Sequence, residues 1–324
     1  MAQTPSVEPW REPDLSVLIV NYRTPGLSID CLASLEPELA DLPGMKVILV
    51  DNASGDDSVE RIGRAIDERG WGDWARLVPQ QTNYGFAGGN NRAQEVLPDA
   101  RHFLMLNSDT VVHRGCLKYC YDLLEAEPTI GAMSCLLLNA DRSVQNVTRR
   151  FPHPARAAAD SWDMPNRFPR AFRWADMQDL HWDRRTLKRD VDWIGGAFVM
   201  VRGSLVREVG LLDEDFFFYG EDIEFSHRIW QSGYRVHYDP AVSITHFGGG
   251  SSGSIGSRTR SEHAWSGRYK VQRKCYGRLA EEAARATDAA SWASKAVWRR
   301  LRKGGDSEAY AEARDVVSIL AGRP

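Results

Sequence analysis

Three times near its N-terminus this chain runs a short apolar, β-rich stretch straight into polar residues. The stretches are LSVLIVNY (15–22), KVILVDNAS (46–54) and RHFLMLNSD (101–109). After the first, Leu27, Cys31, Leu32 and Leu35 recur at helical spacing. DDSVERIGRAIDERG and CLKYCYDLLEAEP read as helices after the second and third. ARLVPQ (75–80) adds a strand, followed by a Gly/Asn turn opening a helix over FAGGNNRAQEVL. Strands alternating with helices at this spacing predict βαβ units and a parallel sheet covered on both faces. In such sheets ligands bind beyond the carboxyl ends of the strands. Asn21-Tyr22, Asp51-Asn52, the Gly/Asn loop 83–91 and Asn107-Ser108-Asp109 all fall on that rim. Any one of them alone reads as a turn. Four together outline a nucleotide-sized site.

The second half changes character. Residues 139–190 are rich in Arg, Trp, Pro and Asp without periodicity, which predicts an irregular insertion or flexible loop region. VDWIGGAFVMVRGSLVREVG (191–210) predicts a Gly-containing loop, a strand and a helix. A loop and a helix starting near Gly220 follow. RVHYDPAVSITHFGGGSSG (235–253) predicts a strand, a short strand around VSITH and a Gly/Ser loop. Beyond residue 260 the chain looks helical. The expected division is a flexible segment over 1–14, a main domain over 15–255 and a helical extension over 256–324. The main domain has a nucleotide-sugar half (15–138) and an acceptor half (139–255).

Composition narrows the classes. The net charge of −3 gives no global field for nucleic acid. No apolar run approaches the ~18 residues that span a bilayer, and the N-terminus lacks a signal-peptide pattern. Five cysteines in no paired framework suit a reducing compartment. The expectation is a cytoplasmic protein, at most peripheral at the inner face of a membrane.

Seven segments occur in one order: VLIVNYRTPG, VILVDNASGDDSV, NYGFAGGNN, LNSD, WIGGAFVMVRGS, FFFYGEDIEFSHRIWQSGY and ITHFGGGSS. Together they resemble the family 2 inverting glycosyltransferases, and most of all bacterial rhamnosyltransferase-like members, across roughly residues 15–253. The resemblance implies a GT-A fold, α/β and Rossmann-like, with a mostly parallel central sheet flanked by helices. It implies a nucleotide-diphosphate sugar donor, with dTDP-L-rhamnose the best guess, a glycan or lipid-linked glycan acceptor, and Mg²⁺ or Mn²⁺.

The residues support this chemistry piece by piece. Tyr22, between Asn21 and Arg23, can stack on a pyrimidine, and Asp51 or Asn52 can accept its ring N–H. The resemblance places the base there without choosing between those two. Gly85, Gly88 and Gly89 permit close backbone approach, and with Asn83, Phe86, Ala87 and Asn90 they open a helix whose N-terminus favours a diphosphate. Asp109 is the expected metal ligand at the last position of the family's Asp-X-Asp motif. Asn107 stands at the first, removing a charge, and with Ser108 it faces the nucleotide sugar. His246 is the expected further ligand, with backbone N–H groups of 248–250 helping to bind the diphosphate. Inverting transfer needs one carboxylate to take the acceptor's proton. The resemblance assigns this to Asp222, with Glu221 orienting the acceptor or Asp222. Trp193, Gly195 and Gly196 are expected beside the acceptor, Trp193 as a sugar-facing ring or as core. Residues 290–305 combine Trp292, Val297, Trp298 and Leu301 with basic residues, as an interfacial helix or a packed surface helix would. A nucleotidyltransferase would need a triphosphate loop, for which the first strand end offers only Arg23. A degenerate, binding-only relative is the other alternative, with Asn107 as its hint.

Overall fold

The computed structural model describes residue 10, residues 12–248 and residues 257–303. The expected 1–14 segment, the loop residues 249–253 and the chain beyond 303 therefore lie wholly or largely outside the described residues. The first half contains β1 (Leu15–Asn21), α1 (Pro25–Leu35), β2 (Met45–Asp51), α2 (Ser58–Glu68), β3 (Ala75–Pro79) and α3 (Gly85–Val96). It continues with β4 (His102–Asn107), β5 (Thr110–Val112), α4 (Cys116–Ala126) and β6 (Ile130–Leu138). The second half brings β7 (Thr148–Arg149), α5 (Pro154–Ser161), α6 (Met164–Arg167), β8 (Arg189–Asp190), β9 (Trp193–Ile194), β10 (Phe198–Arg202) and α7 (Gly203–Val209). It ends with α8 (Glu221–Gln231), β11 (Arg235–His246), α9 (Ser257–Tyr276) and α10 (Arg278–Lys303).

One sheet runs β3-β2-β1-β4-β10-β6-β11-β5, with β8 paired to β11. β1 pairs parallel with β2 and β4, and β2 parallel with β3. The order reverses at β1, where a crevice opens beyond the carboxyl ends of β1 and β4. Alternate residues of each strand enter opposite core layers, as the period of a strand requires. Val17, Ile19, Val47, Leu49, Leu104 and Leu106 pack toward Leu32, Ile62 and Leu117 of α1, α2 and α4. Leu18, Ile48, Val50, Phe103 and Met105 pack toward Ala93, Leu205 and Phe225 of α3, α7 and α8. Burying each such side chain stabilises the fold by about 1.5–3 kcal/mol, which is why the strands read as continuous apolar runs.

The structure departs from the sequence reading in several places, and it adds β5 and β6, which that reading did not name. β10 enters the sheet antiparallel, between β4 and β6, so the sheet is mixed at its centre. It also joins the two expected halves of the main domain in a single sheet. The two strands expected over 235–246 are one strand, β11, with a bulge where its register to β6 jumps between Asp239 and Ser243. Pro240 sits in that jump, where its missing N–H is tolerated. Residues 139–190, expected to be an irregular insertion or flexible loop region, hold α5, α6 and short strands. Ala157, Ala159 and Ser161 of α5 are buried. Ser161 Oγ donates to the buried Asp288 of α10 at 2.5 Å, and Arg268 of α9 donates to the same carboxylate at 2.9 Å. These long-range partners supply the order that local periodicity does not announce.

Candidate active site

The polar ends of β1 and β2 are tied to each other. Asn21 Nδ2 donates to Asp51 Oδ2 at 2.7 Å, while Asn21 Oδ1 accepts from Ser28 Oγ at 2.8 Å. Asp51 Oδ2 also accepts from Ser54 Oγ at 2.6 Å, and Asp51 Oδ1 from the Ser54 N–H at 3.1 Å. Asn52 donates to Asn83 Oδ1 and to the Gly85 carbonyl, and accepts from the Tyr84 N–H. Asn52 Oδ1 and Asp51 Oδ1 each accept one bond and keep a further lone pair, while Asp51 Oδ2 accepts two. Tyr22 is half-buried, with the exposed Arg23 guanidinium 5.0 Å from its ring centroid.

The Gly/Asn stretch forms the first turns of α3. Gly85 has φ +70°, and a Cβ there would lie 2.2 Å from the Phe217 carbonyl oxygen. The Phe86 N–H donates to that same carbonyl at 2.9 Å. A Cβ on Gly89 would meet Val20 at 2.9 Å, and one on Gly88 the Tyr84 side chain at 2.6 Å. Ala87 is buried, and Asn90 Nδ2 donates to the Phe86 carbonyl. The close approaches that demand glycine are made to the protein itself. They seat α3 against β1 and against the segment leading into α8.

At the ends of β4 and β11 a second group of side chains meets. Asp109 and Ser108 are buried, and Asp109 Oδ1 lies 3.2 Å from His246 Nε2. Asn107 Nδ2 lies 3.2 Å from the same nitrogen. The other ring nitrogen, Nδ1, is 2.8 Å from Gln145 Oε1. Gln145 Nε2 donates to the His246 carbonyl at 2.7 Å and to Asn139 Oδ1 at 2.6 Å, which fixes the amide orientation. That orientation places a proton on Nδ1, and Nε2 faces both the Asn107 amide and the Asp109 carboxylate. Two lone-pair donors held side by side, one oxygen and one nitrogen, form a partial ligand set for a divalent cation.

The third group forms at the N-terminus of α8. Glu221 is buried and its Oε2 has no hydrogen-bond partner. Burial pushes the Glu221 carboxyl up to about 8, with the neighbouring Asp222 charge adding to the shift. Burial also pushes Asp222 up, to about 6, against the opposing pull of the Ile223 N–H, the Arg149 guanidinium and the Gly196 N–H. Arg149 reaches this corner because β7 pairs with β9, placing Arg149 opposite Trp193. Its guanidinium lies 5.7 Å from the Trp193 ring centroid. Trp193 is anchored by its own indole N–H, which donates to the Arg150 carbonyl at 3.0 Å. A cavity of 440 Å³ opens here, with Arg149, Trp193, Tyr219, Gly220 and Ile223 on its walls.

Consecutive residues connect the last two groups. The Gly196 N–H is among the groups that hold the Asp222 carboxyl down, and the carbonyl of the next residue, Ala197, accepts from the Asn107 N–H at 3.0 Å. Adjacent Cα atoms are about 3.8 Å apart, so the Asp222 carboxylate and the Asp109–His246 corner flank one short piece of backbone. Gly196 is also close to Phe86, whose ring carbons would lie 3.1 Å from an added Cβ. Gly195 donates its N–H to the Val147 carbonyl at 2.8 Å. The sequence reading missed Gln145 and Arg149. Both lie in the stretch without periodicity, and neither residue type signals a site by itself.

The family model described as glycosyl transferase family group 2 matches residues 102–303. The chain is 28% identical over 247 residues to the N-acetylglucosaminyl-diphospho-decaprenol L-rhamnosyltransferase of Mycobacterium tuberculosis, covering 72% of this chain and 75% of that one. It is 27% identical over 173 residues to the rhamnosyltransferase WbbL of Escherichia coli, covering 51% of this chain and 61% of that one. The structure is similar to that of a mannosyltransferase, PcManGT, from Pyrobaculum calidifontis, solved in complex with GDP-Man and Mn²⁺. The TM-score is 0.56 at 19% identity, covering 97% of this chain and 85% of that one. The strand order, the polar rim and these likenesses agree: the chain belongs to glycosyl transferase family group 2 and is a glycosyltransferase with a GT-A fold.

Proposed function

We propose that this enzyme transfers L-rhamnose from dTDP-rhamnose to a hydroxyl of a glycan or lipid-linked glycan acceptor, with inversion at C1. The observation that carries the reading is the Glu221–Asp222 pair at the start of α8, both carboxyls pushed up by burial, beside a 440 Å³ cavity walled by Gly220 and Ile223. The rhamnosyltransferase relatives support the donor. The diphospho-decaprenol in the name of one of them supports a lipid-linked acceptor.

The base of the nucleotide stacks on Tyr22, and its ring N–H bonds Asp51, whose carboxylate is a stronger acceptor than the Asn52 amide. Asp109 and His246 would hold Mg²⁺ or Mn²⁺. Among the described residues no cluster of three or more His, Cys, Asp or Glu is arranged for a metal ion. Two protein donors suit a cation that completes its shell with diphosphate oxygens and water. Bound there, the cation supplies Lewis-acid stabilisation of the leaving diphosphate. Asn107 donates to His246 and adds no charge to the corner.

Asp222 takes the proton from the acceptor hydroxyl as that oxygen attacks C1. The new O–C1 bond forms while the bond from C1 to the diphosphate oxygen breaks, and the nucleotide diphosphate leaves with the electron pair. The two acids divide their roles by environment. Glu221 keeps its proton at neutral pH and leaves Asp222 as the charged partner. Its burial suits holding Asp222 better than touching the acceptor. The cavity walled by Trp193 and Arg149 receives the acceptor sugar. On α10, Val297, Trp298 and Leu301 are exposed, supporting contact of this helix with a membrane surface. Among the described residues no helix is long and apolar enough to cross a membrane. The test is release of dTDP from dTDP-rhamnose, dependent on both acceptor and Mn²⁺. Turnover with UDP- or GDP-sugars in its place would overturn the donor assignment.

A further inference from the structure

The stretch between α5 and β8 carries a surface that sugar transfer does not use. From Met164 to Ala175 there is no acidic residue, and Arg167, Arg170 and Arg173 alternate with Phe168, Phe172 and Trp174. The fold turns large rings outward: Phe168 is 54% exposed, Trp174 48% and Trp162 38%. Phe168, Phe172 and Trp174 form a ladder, with centroids 6.4 and 6.1 Å apart. Arg167 faces Asp163 at a loose 4.0 Å, and among the described residues Arg170 and Arg173 meet no carboxylate. Exposed aromatic rings interleaved with arginines match the chemistry of a lipid headgroup layer. The rings sit at the boundary between acyl chains and water, and the guanidinium groups meet lipid phosphates.

The location gives this surface a purpose. Pro165 and Asn166, in the same segment, line the cavity beside Asp222. Trp162 directly follows Ser161, whose carbonyl accepts from Ser291 and Lys295 of α10. The aromatic segment therefore begins against the helix that carries exposed Val297, Trp298 and Leu301. We propose that residues 162–174 dock this enzyme on an anionic lipid surface, beside the mouth of the acceptor cavity. The purpose rests on the lipid-linked reading of the acceptor, but docking is measured without any sugar transfer.

The experiment is co-sedimentation of the full chain with two kinds of vesicle. One is phosphatidylcholine alone, and the other adds about one part phosphatidylglycerol to two of phosphatidylcholine. The unaltered protein should bind the anionic vesicles at least about tenfold more tightly, and salt should weaken that binding. An arginine near an anionic surface is worth roughly fivefold in partitioning. Replacing all three together (Arg167→Gln, Arg170→Gln, Arg173→Gln) should therefore lower anionic binding by about a hundredfold. The pair Phe168→Ser, Trp174→Ser should weaken binding to both kinds of vesicle. Both variants should keep the thermal melt of the parent and its dTDP release with a water-soluble acceptor. Three outcomes would overturn the proposal: no anionic preference in the parent, no loss in either variant, or loss only on Trp298→Ser, Leu301→Ser in α10. Failure of the transfer reading shows separately, as absent dTDP release from a parent protein that still binds vesicles.

Discussion

The two corners of the site are built by opposite means. At the ends of β4 and β11, His246 is bound on both ring nitrogens, and Gln145 is itself fixed by two further acceptors. At the start of α8 the carboxyls are poised by burial, and one Glu221 oxygen has no partner at all. The first corner spends its hydrogen bonds on geometry, as a site that receives a cation must. The second withholds them, so that one acid keeps its proton and the other titrates near neutrality. A glycosyltransferase needs both, because the leaving group requires fixed charge and the nucleophile requires a base able to accept and lose a proton.

This contrast can be broken from either side. The largest effect is expected from Asp222→Asn, which should lower kcat by about 10²–10⁴ while calorimetry shows donor binding unchanged. Near-normal turnover would remove Asp222 from its role. On the other side, Gln145→Leu frees the imidazole, and Mn²⁺ affinity should fall about 10- to 100-fold, as read by electron spin resonance of the free ion. Gln145→Glu keeps an acceptor opposite Nδ1 and should recover part of that loss. If both variants bind Mn²⁺ like the parent, the corner is not ordered in the way described.

Glu221→Gln separates burial from charge. The folded pKa of Glu221 is raised, so its contribution to stability is present below the ordinary glutamate value and lost as pH rises through about 8. Glutamine has no proton to lose. The variant should therefore be more stable than the parent above pH 8, by on the order of 2 kcal/mol, with the gap closing below pH 5. Urea unfolding at the two pH values checks this. The smallest effect is expected from Arg149→Met. Asp222 would then hold its proton more tightly, and the acid limb of kcat/KM should move to higher pH. Activity near pH 6 should fall severalfold, with little change at pH 9, and Arg149→Lys should restore most of the profile.

The parts of this site that sequence reading reached are those with a local signature. Asn21, Asp51, Asn107 and Asp109 end apolar runs, and His246 and Asp222 lie in segments whose order resembles one family. On the nucleotide side β1 to β4 followed from period and length, whereas β5 and β6 did not. The direction of β10 did not, because it is decided by pairing with β4 and β6 rather than by anything in FVMVR itself. Arg149 acquires its place only through Trp193, its distant partner in a two-residue ladder. Gln145 matters only because His246 lies opposite it.

The Gly196–Ala197 step acts as a ruler. Gly196 is among the groups acting on Asp222, the proposed base, and Ala197 bonds the end of β4 beside the proposed metal corner, so neighbouring residues serve the two chemistries. Inserting one residue between them would add about 3.8 Å, where a misplacement of about 1 Å can lower a rate about 10²-fold. The length of 193–198 therefore has to stay fixed.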